Sequence, residues 1–245
     1  MGFKDNNADY SRNMEYGGLV AQRLKHIIDL VDFSRIKTVL DIGSWHLDQS
    51  FEFMHIFPEA NVYAFEPNPT SARLCRQKMG SLPSVHRTRI YVNELALTDK
   101  SGEISFYPLD TTQTTSTNHG MSSTLKLKNG MDGSWHNDVW VQKEIKVKAD
   151  TLDSWCKQSN VSPDLLWIDV QGAEYSVFAG GKETLKNHVK VILTEVGIVP
   201  YYEGHSTKPE IDSLLKDLGF VEITASFEMA DPYEANTIYI NSSLI

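Results

Sequence analysis

Cysteine, long apolar runs and positive charge are all scarce in this chain. Only Cys75 and Cys156 are present, far apart and without CxxC spacing. That argues against a disulfide framework or a thiolate metal site, and it suits a reducing, cytoplasmic setting. No stretch reaches the ~18 apolar residues of a membrane span. The opening MGFKDNNADY has no apolar signal core. Gly2 follows Met1, but Asn6 stands where a myristoylation signal carries Ser or Thr. Lys and Arg number 23 against 32 Asp and Glu, a net charge of −9. Such a balance argues against nonspecific binding to nucleic acid or an anionic membrane. Lys143, Lys146 and Lys148 make a modest basic line, read here as the solvated face of a strand. There is no internal repeat and no GxGxxG, and His46, His119, His136 and His205 have no metal-ligand spacing with one another.

What is present is a pair of strand ends. KTVLDIGS (37–44) and NVYAFEPNP (61–69) each run through apolar and β-branched residues to an acid, Asp41 and Glu66. A strand, a turn with glycine, a helix and a second strand ending in a carboxylate make one βαβ unit for an adenosine. Gly43 lets the backbone approach a ligand, and Glu66 is positioned to accept from a ribose diol.

Apolar spacing predicts a helix over 14–31, then strands at 37–42 and 61–66 around a helix at 48–57. A helix at 70–79 with Leu74 inward follows, then a third strand at 89–96 ending in Ala96 and Leu97. EISFY (103–107) and VQKEIKVK (141–148) are expected to pair, flanking a long Thr/Ser/Asn-rich stretch at 108–140 that reads as a lid or acceptor loop. Later elements are a short helix from Thr151, a buried strand at 164–170 and a helix at 174–187 broken at Gly180-Gly181. A buried strand at 189–196 and a helix at 208–218 capped by Gly219 come next, then strands at 220–226 and 236–242. The last two have too short a link for a parallel crossover and must lie antiparallel. The expected organisation is an N-terminal helical segment, 1–36, ahead of an α/β domain, 37–245.

VLDIGS, VYAFEPNP, NELALTDKSGEISFY, Ser122-Ser123-Thr124-Leu125, VKADTLDSW and DLLWIDVQGAEYSVFAGG occur in that order. Over about residues 37–220 the chain resembles the FkbM family of S-adenosylmethionine-dependent methyltransferases. The resemblance implies a Rossmann-like class I methyltransferase fold. That means a seven-stranded, mostly parallel sheet with one antiparallel strand and helices on both faces. It also implies S-adenosylmethionine as cofactor and methylation of a hydroxyl on a sugar, glycan or small natural product. One departure is Leu47, which stands where the family's first motif usually carries a second glycine. It motivates the rival expectation of a non-catalytic Rossmann-like domain without cofactor affinity.

Candidate cofactor residues are Asp41, Gly43, Ser44, Glu66, Asn68, Ala96 and Leu97. Asn68 is equally a helix cap, and Ala96 and Leu97 are expected as apolar walls. Asp169 and Glu195 end two buried strands, where ligands sit in open α/β sheets. Either suits a general base, and two nearby carboxyls raise one another's pKa. A divalent metal is compatible with such acids, but no ligand pattern specifies one. His205 is the histidine best situated to act as a base, and Tyr201 and Tyr202 beside it suit stacking on a sugar or plain packing.

Overall fold

The computed structural model describes residues 3, 6–81, 88–115, 120–131, 139–230 and 232–245. Its strands are β1 (Thr38–Ile42), β2 (Asn61–Phe65), β3 (Ile90–Asn93), β4 (Ala96–Leu97), β5 (Gly102–Phe106) and β6 (Ile145–Asp150). Then come β7 (Leu165–Ile168), β8 (Val191–Gly197), β9 (Phe220–Glu222), β10 (Glu228–Met229) and β11 (Glu234–Asn241). The helices are α1 (Ala8–Asn13), α2 (Leu19–Leu24), α3 (Asp48–Ile56) and α4 (Pro69–Ser81). They continue with α5 (Leu152–Ser159), α6 (Glu174–Ala179), α7 (Lys182–Asn187) and α8 (Lys208–Asp217).

The main sheet runs β10-β11-β8-β7-β1-β2-β3, with β9 also on β11. Its centre is parallel, and β11 lies antiparallel to β8. Side chains of a strand alternate between faces, so one apolar run feeds two cores. Val39, Leu165 and Trp167 join the core that holds Val20, Leu24 and Phe53 from α2 and α3. Leu40, Ile42, Leu166 and Ile168 join the opposite core with Trp155, Phe178, Leu185 and Ile211 from α5 to α8.

Several boundaries differ from the sequence reading. The 14–31 stripe is not one helix: Gly17 and Gly18 take φ of +79° and +113°, which split α2 from the turns before it. Leu74 is 37% exposed, and α4 turns Ala72 and Cys75 inward instead. The third strand stops at Asn93, and Ala96 and Leu97 leave it for a second sheet, β4-β6-β5. The expected pairing of EISFY with the later strand holds, as β5 and β6 antiparallel. Lys143, Lys146 and Lys148 are exposed, the latter two alternating with buried Val147 and Ala149 on β6. The expected strand at 220–226 breaks after Glu222 into a 3-10 turn, Thr224–Ser226. Its continuation, β10, returns to β11, which is why the main sheet has eight strands and not seven.

Candidate active site

Parallel strands that end together place their following turns side by side. In sheet order, Glu234 (β11), Glu195 (β8), Asp169 (after β7), Gly43 (after β1) and Glu66 (after β2) form one row on the carboxyl edge of the parallel strands. Neighbouring strands lie about 4.8 Å apart. The row faces a cavity of about 640 Å³ whose wall includes all five residues. Asn68, Ala96 and Leu97 also line it. Asp41, Ser44 and His205 do not.

Glu66 ties the first two turns together. Its Oε2 accepts from the Trp45 N–H at 2.9 Å and its Oε1 from the Asn68 N–H at 2.8 Å. Burial pushes its pKa up to about 8, against the lowering effect of those two bonds. The Gly43 and Ser44 N–H groups both donate to the Phe65 carbonyl at 3.0 Å, so the glycine turn is strapped to β2. Gly43 has φ +88°, and a Cβ there would lie 1.8 Å from the Asp169 carbonyl oxygen. Gly43→Ala is expected to lose at least about 3 kcal/mol of stability, combining positive-φ strain with overpacking. Urea unfolding of the variant checks this.

Asp41 is fully buried behind that turn, where it accepts from the Ser50 hydroxyl of α3. Desolvation carries its pKa up to about 7. Ser44 is likewise buried. Asn68 serves the capping reading, its Oδ1 accepting from the Thr70 N–H at 3.1 Å. Leu47 is fully buried against Ala64 and Cys75 with φ +67°, pointing away from the cavity. The bulky residue therefore does not narrow the cavity. Its neighbour Trp45 lines the wall and stacks on His46 at 4.2 Å between ring centres.

Asp169 and Glu195 come together as the strand order predicts, bridged by the Gln171 amide. Desolvation raises both, and the neighbouring Asp169 charge lifts Glu195 further. Gln171 Nε2 donates to Asp169 Oδ1 at 2.7 Å and to Glu195 Oε2 at 3.4 Å. Glu174, at the start of α6, is buried and accepts from the Val170 and Gly172 N–H groups at 3.2 Å. It shapes this turn, and burial brings it to about 7.

His205 packs behind the wall. A Cβ on Gly197 would lie 2.2 Å from its Nε2, and one on Gly172 3.0 Å from its Cγ. Burial depresses its pKa to about 4, so the ring is neutral, with neither nitrogen hydrogen-bonded among the described residues. Geometry gives it a packing position, beside Tyr201 and Tyr202. Tyr201 reaches the wall, and Tyr202 OH lies 3.2 Å from the Met121 carbonyl and 3.4 Å from Gln171 Oε1.

From the expected lid, the described residues Gly120, Met121, Ser122, Thr124 and Trp140 line the cavity. Ser123 docks this stretch, donating to the Gln171 carbonyl at 2.8 Å. His119 and His136 fall outside the described residues. The sequence reading missed Gln49, Glu234 and Gln171 as wall residues. No group of three ligating side chains suited to a metal ion occurs among the described residues.

A family model described as the methyltransferase FkbM domain matches residues 38–222. The chain belongs to the FkbM methyltransferase family. It is therefore an enzyme that transfers a methyl group, and the non-catalytic expectation has no structural support once Leu47 is seen to point into the core. The chain is 35% identical over 190 residues to the 2-O-methyltransferase NoeI of Sinorhizobium fredii, spanning 77% of this chain and 74% of the relative. It is 23% identical over 206 residues to the methyltransferase sdnD of Sordaria araneosa, spanning 80% and 78%. Among solved structures it resembles an FkbM methyltransferase from Methylobacillus flagellatus at TM-score 0.50 and 9% identity, covering 96% of this chain but only 59% of the other. Aeropyrum pernix fibrillarin, solved with natively bound S-adenosyl-L-methionine, also matches at TM-score 0.50, with 12% identity over 90% of this chain and 74% of its own. These two structures show a shared fold. This FkbM-family enzyme thus has the class I methyltransferase architecture, and the cavity lies on the edge of the sheet where open α/β folds bind ligands.

Proposed function

We propose that this enzyme is an S-adenosylmethionine-dependent O-methyltransferase acting on a hydroxyl of a sugar, glycan or small natural product. The observation that carries this reading is the row of carboxyls from Glu66 to Glu234 along one sheet edge, with no Lys, Arg or His on the described wall. Such a donor set suits a ligand bearing a sulfonium and an ammonium, and its volume is within the range of cofactor sites. Bound there, S-adenosylmethionine supplies an electrophilic methyl group.

Glu66 accepts from the ribose hydroxyls, and Phe65, Ala96 and Leu97 offer apolar contact to the base. That end is fixed by β2 and β4, so the acceptor lies toward Asp169, Glu195 and Glu234. Asp169 would take the proton of the acceptor hydroxyl as the methyl group leaves the sulfonium sulfur, which departs as a neutral thioether, and bonds to the acceptor oxygen. Orientation of the two reactants supplies roughly 7–11 kcal/mol at best. The described residues Gly120, Met121, Ser122, Thr124 and Trp140 cover the cavity from one side and exclude water there. The same wall disfavours phosphorylated acceptors and nucleic acid. NoeI is named for 2-O-methylation, which supports oxygen as the atom methylated. The buried, unpaired thiols of Cys75 and Cys156 support a cytoplasmic setting.

Calorimetry with S-adenosylhomocysteine beside NADH tests the reading. Micromolar binding of the first alone is expected. Binding of NADH alone, or of neither by folded protein, overturns it.

A further inference from the structure

Gln171 holds a conformation that its residue type disfavours. Its φ is +55°, and the next residue, Gly172, is at +88°. A non-glycine residue in the left-handed region costs stability that glycine would not. Turn geometry alone does not account for glutamine here, because glycine satisfies the same backbone. The side chain supplies the difference. Its amide nitrogen bridges Asp169 and Glu195, and its Oε1 lies 3.4 Å from the Tyr202 hydroxyl. Only the nitrogen end donates, so the amide orientation is fixed by having carboxyls on one side and a hydroxyl on the other. The backbone carbonyl of Gln171 accepts from Ser123 as well, so one residue joins the carboxyl pair to the lid.

We propose that Gln171 is a positioning residue: its amide bridges Asp169 and Glu195 and holds Asp169 in place to accept the proton of the acceptor hydroxyl. The inference rests on the methyltransferase reading above. The two amide hydrogens of Gln171, one toward each carboxyl, favour the ionised form of the acid they touch and fix the orientation of Asp169 in the wall.

Other groups act on the pair from the surrounding elements. Asp41 and Glu66 face it from β1 and β2, Glu174 from α6, and Glu234 from β11. Glu234 and Glu174 raise Glu195 further, and Asp169 in turn raises Asp41, Glu66 and Glu174. Tyr201, Tyr202 and the neutral ring of His205 pack on the loop after β8. Gln171 is the side-chain amide that opposes these acids directly.

The test uses the full chain, with Gln171→Leu, Gln171→Gly and Gln171→Asn. Carboxyl carbons in ¹³C-labelled protein are titrated by NMR, with Asp169→Asn and Glu195→Gln used for assignment. Loss of the amide is expected to move the lower step of the pair upward by about one pH unit, the size of one lost hydrogen bond to an ionised group. Gln171→Gly is expected to match or exceed the wild-type urea midpoint while showing the same shift, because it removes the backbone strain. Gln171→Asn is expected to recover part of the shift. An unchanged titration in Gln171→Leu overturns the proposal. So does a Gln171→Gly variant that loses stability with no shift, the result of a purely structural role. Calorimetry with S-adenosylhomocysteine on the same samples reports separately on the cofactor reading, which fails only if wild-type protein does not bind.

Discussion

Asp169→Asn is expected to lower methyl transfer by about 10²–10⁴-fold, the usual contribution of a positioned general base. The substitution is close to isosteric, and the asparagine oxygen still accepts from Gln171 Nε2, which now contacts Asp169 at 2.7 Å. The turn after β7 therefore stays in place, and affinity for S-adenosylhomocysteine changes only a few-fold. What is lost is the ability to accept a proton. The pH profile gives a second readout. Burial raises Asp169 above its ordinary value, and a base works only when ionised. The wild-type rate thus rises with pH along a limb displaced above the usual carboxylate range, and the variant lacks that limb. Rates from labelled S-adenosylmethionine across pH check both statements. Undiminished turnover in Asp169→Asn removes it from the chemistry.

Glu66→Ala is expected to weaken S-adenosylhomocysteine binding by about 10-fold or more, since two hydrogen bonds to a largely neutral carboxyl contribute about 0.5–1.5 kcal/mol each. The same change orphans the Trp45 and Asn68 N–H groups, so the two turns that frame the cofactor loosen together. Glu66→Gln separates the effects by keeping the volume and one acceptor. It also carries a signed consequence for stability. The folded pKa of Glu66, about 8, exceeds the ordinary value of 4.5. Its contribution is complete below about 4.5 and is lost as pH rises through 8. Asp41 and Glu174, each near 7, act in the same direction. The urea midpoint of the wild type is expected to fall across that window, and Glu66→Gln to flatten the fall. Calorimetry for binding and urea titration at several pH values for stability are the measurements.

The frame of the sheet was legible because strand signals there are strong: buried runs such as VLDI and LLWI end in acids and turn residues. The row Glu66, Gly43, Asp169, Glu195 followed from strand order alone. What escaped depended on contacts between distant segments. Leu74 fits a helical stripe, yet α4 meets the sheet through small Ala72 and Cys75, because Leu47 already fills the space beside them. Ala96 and Leu97 look like a continuation of β3, but β6 captures them, a pairing more than fifty residues ahead that no local pattern announces. Glu234 belongs to β11, whose start is set by its pairing with Gly197. His205 stands in a polar loop sequence, and only the two glycines that face it explain its burial.

The second sheet has a further property. Its entry and exit points are bonded to each other: Ala96 pairs with Ala149 and Leu97 with Asp150. The described residues between them, including those that cover part of the cavity, form a stretch closed at its own base. It meets the rest of the chain at further points, among them Ser123 on Gln171, Lys126 on Glu203 and Lys128 on Tyr201. The β1 and β2 turns keep their own straps to Phe65 and Asn93. The wall contributed by this stretch can therefore be altered without touching the turns that Phe65 and Asn93 hold.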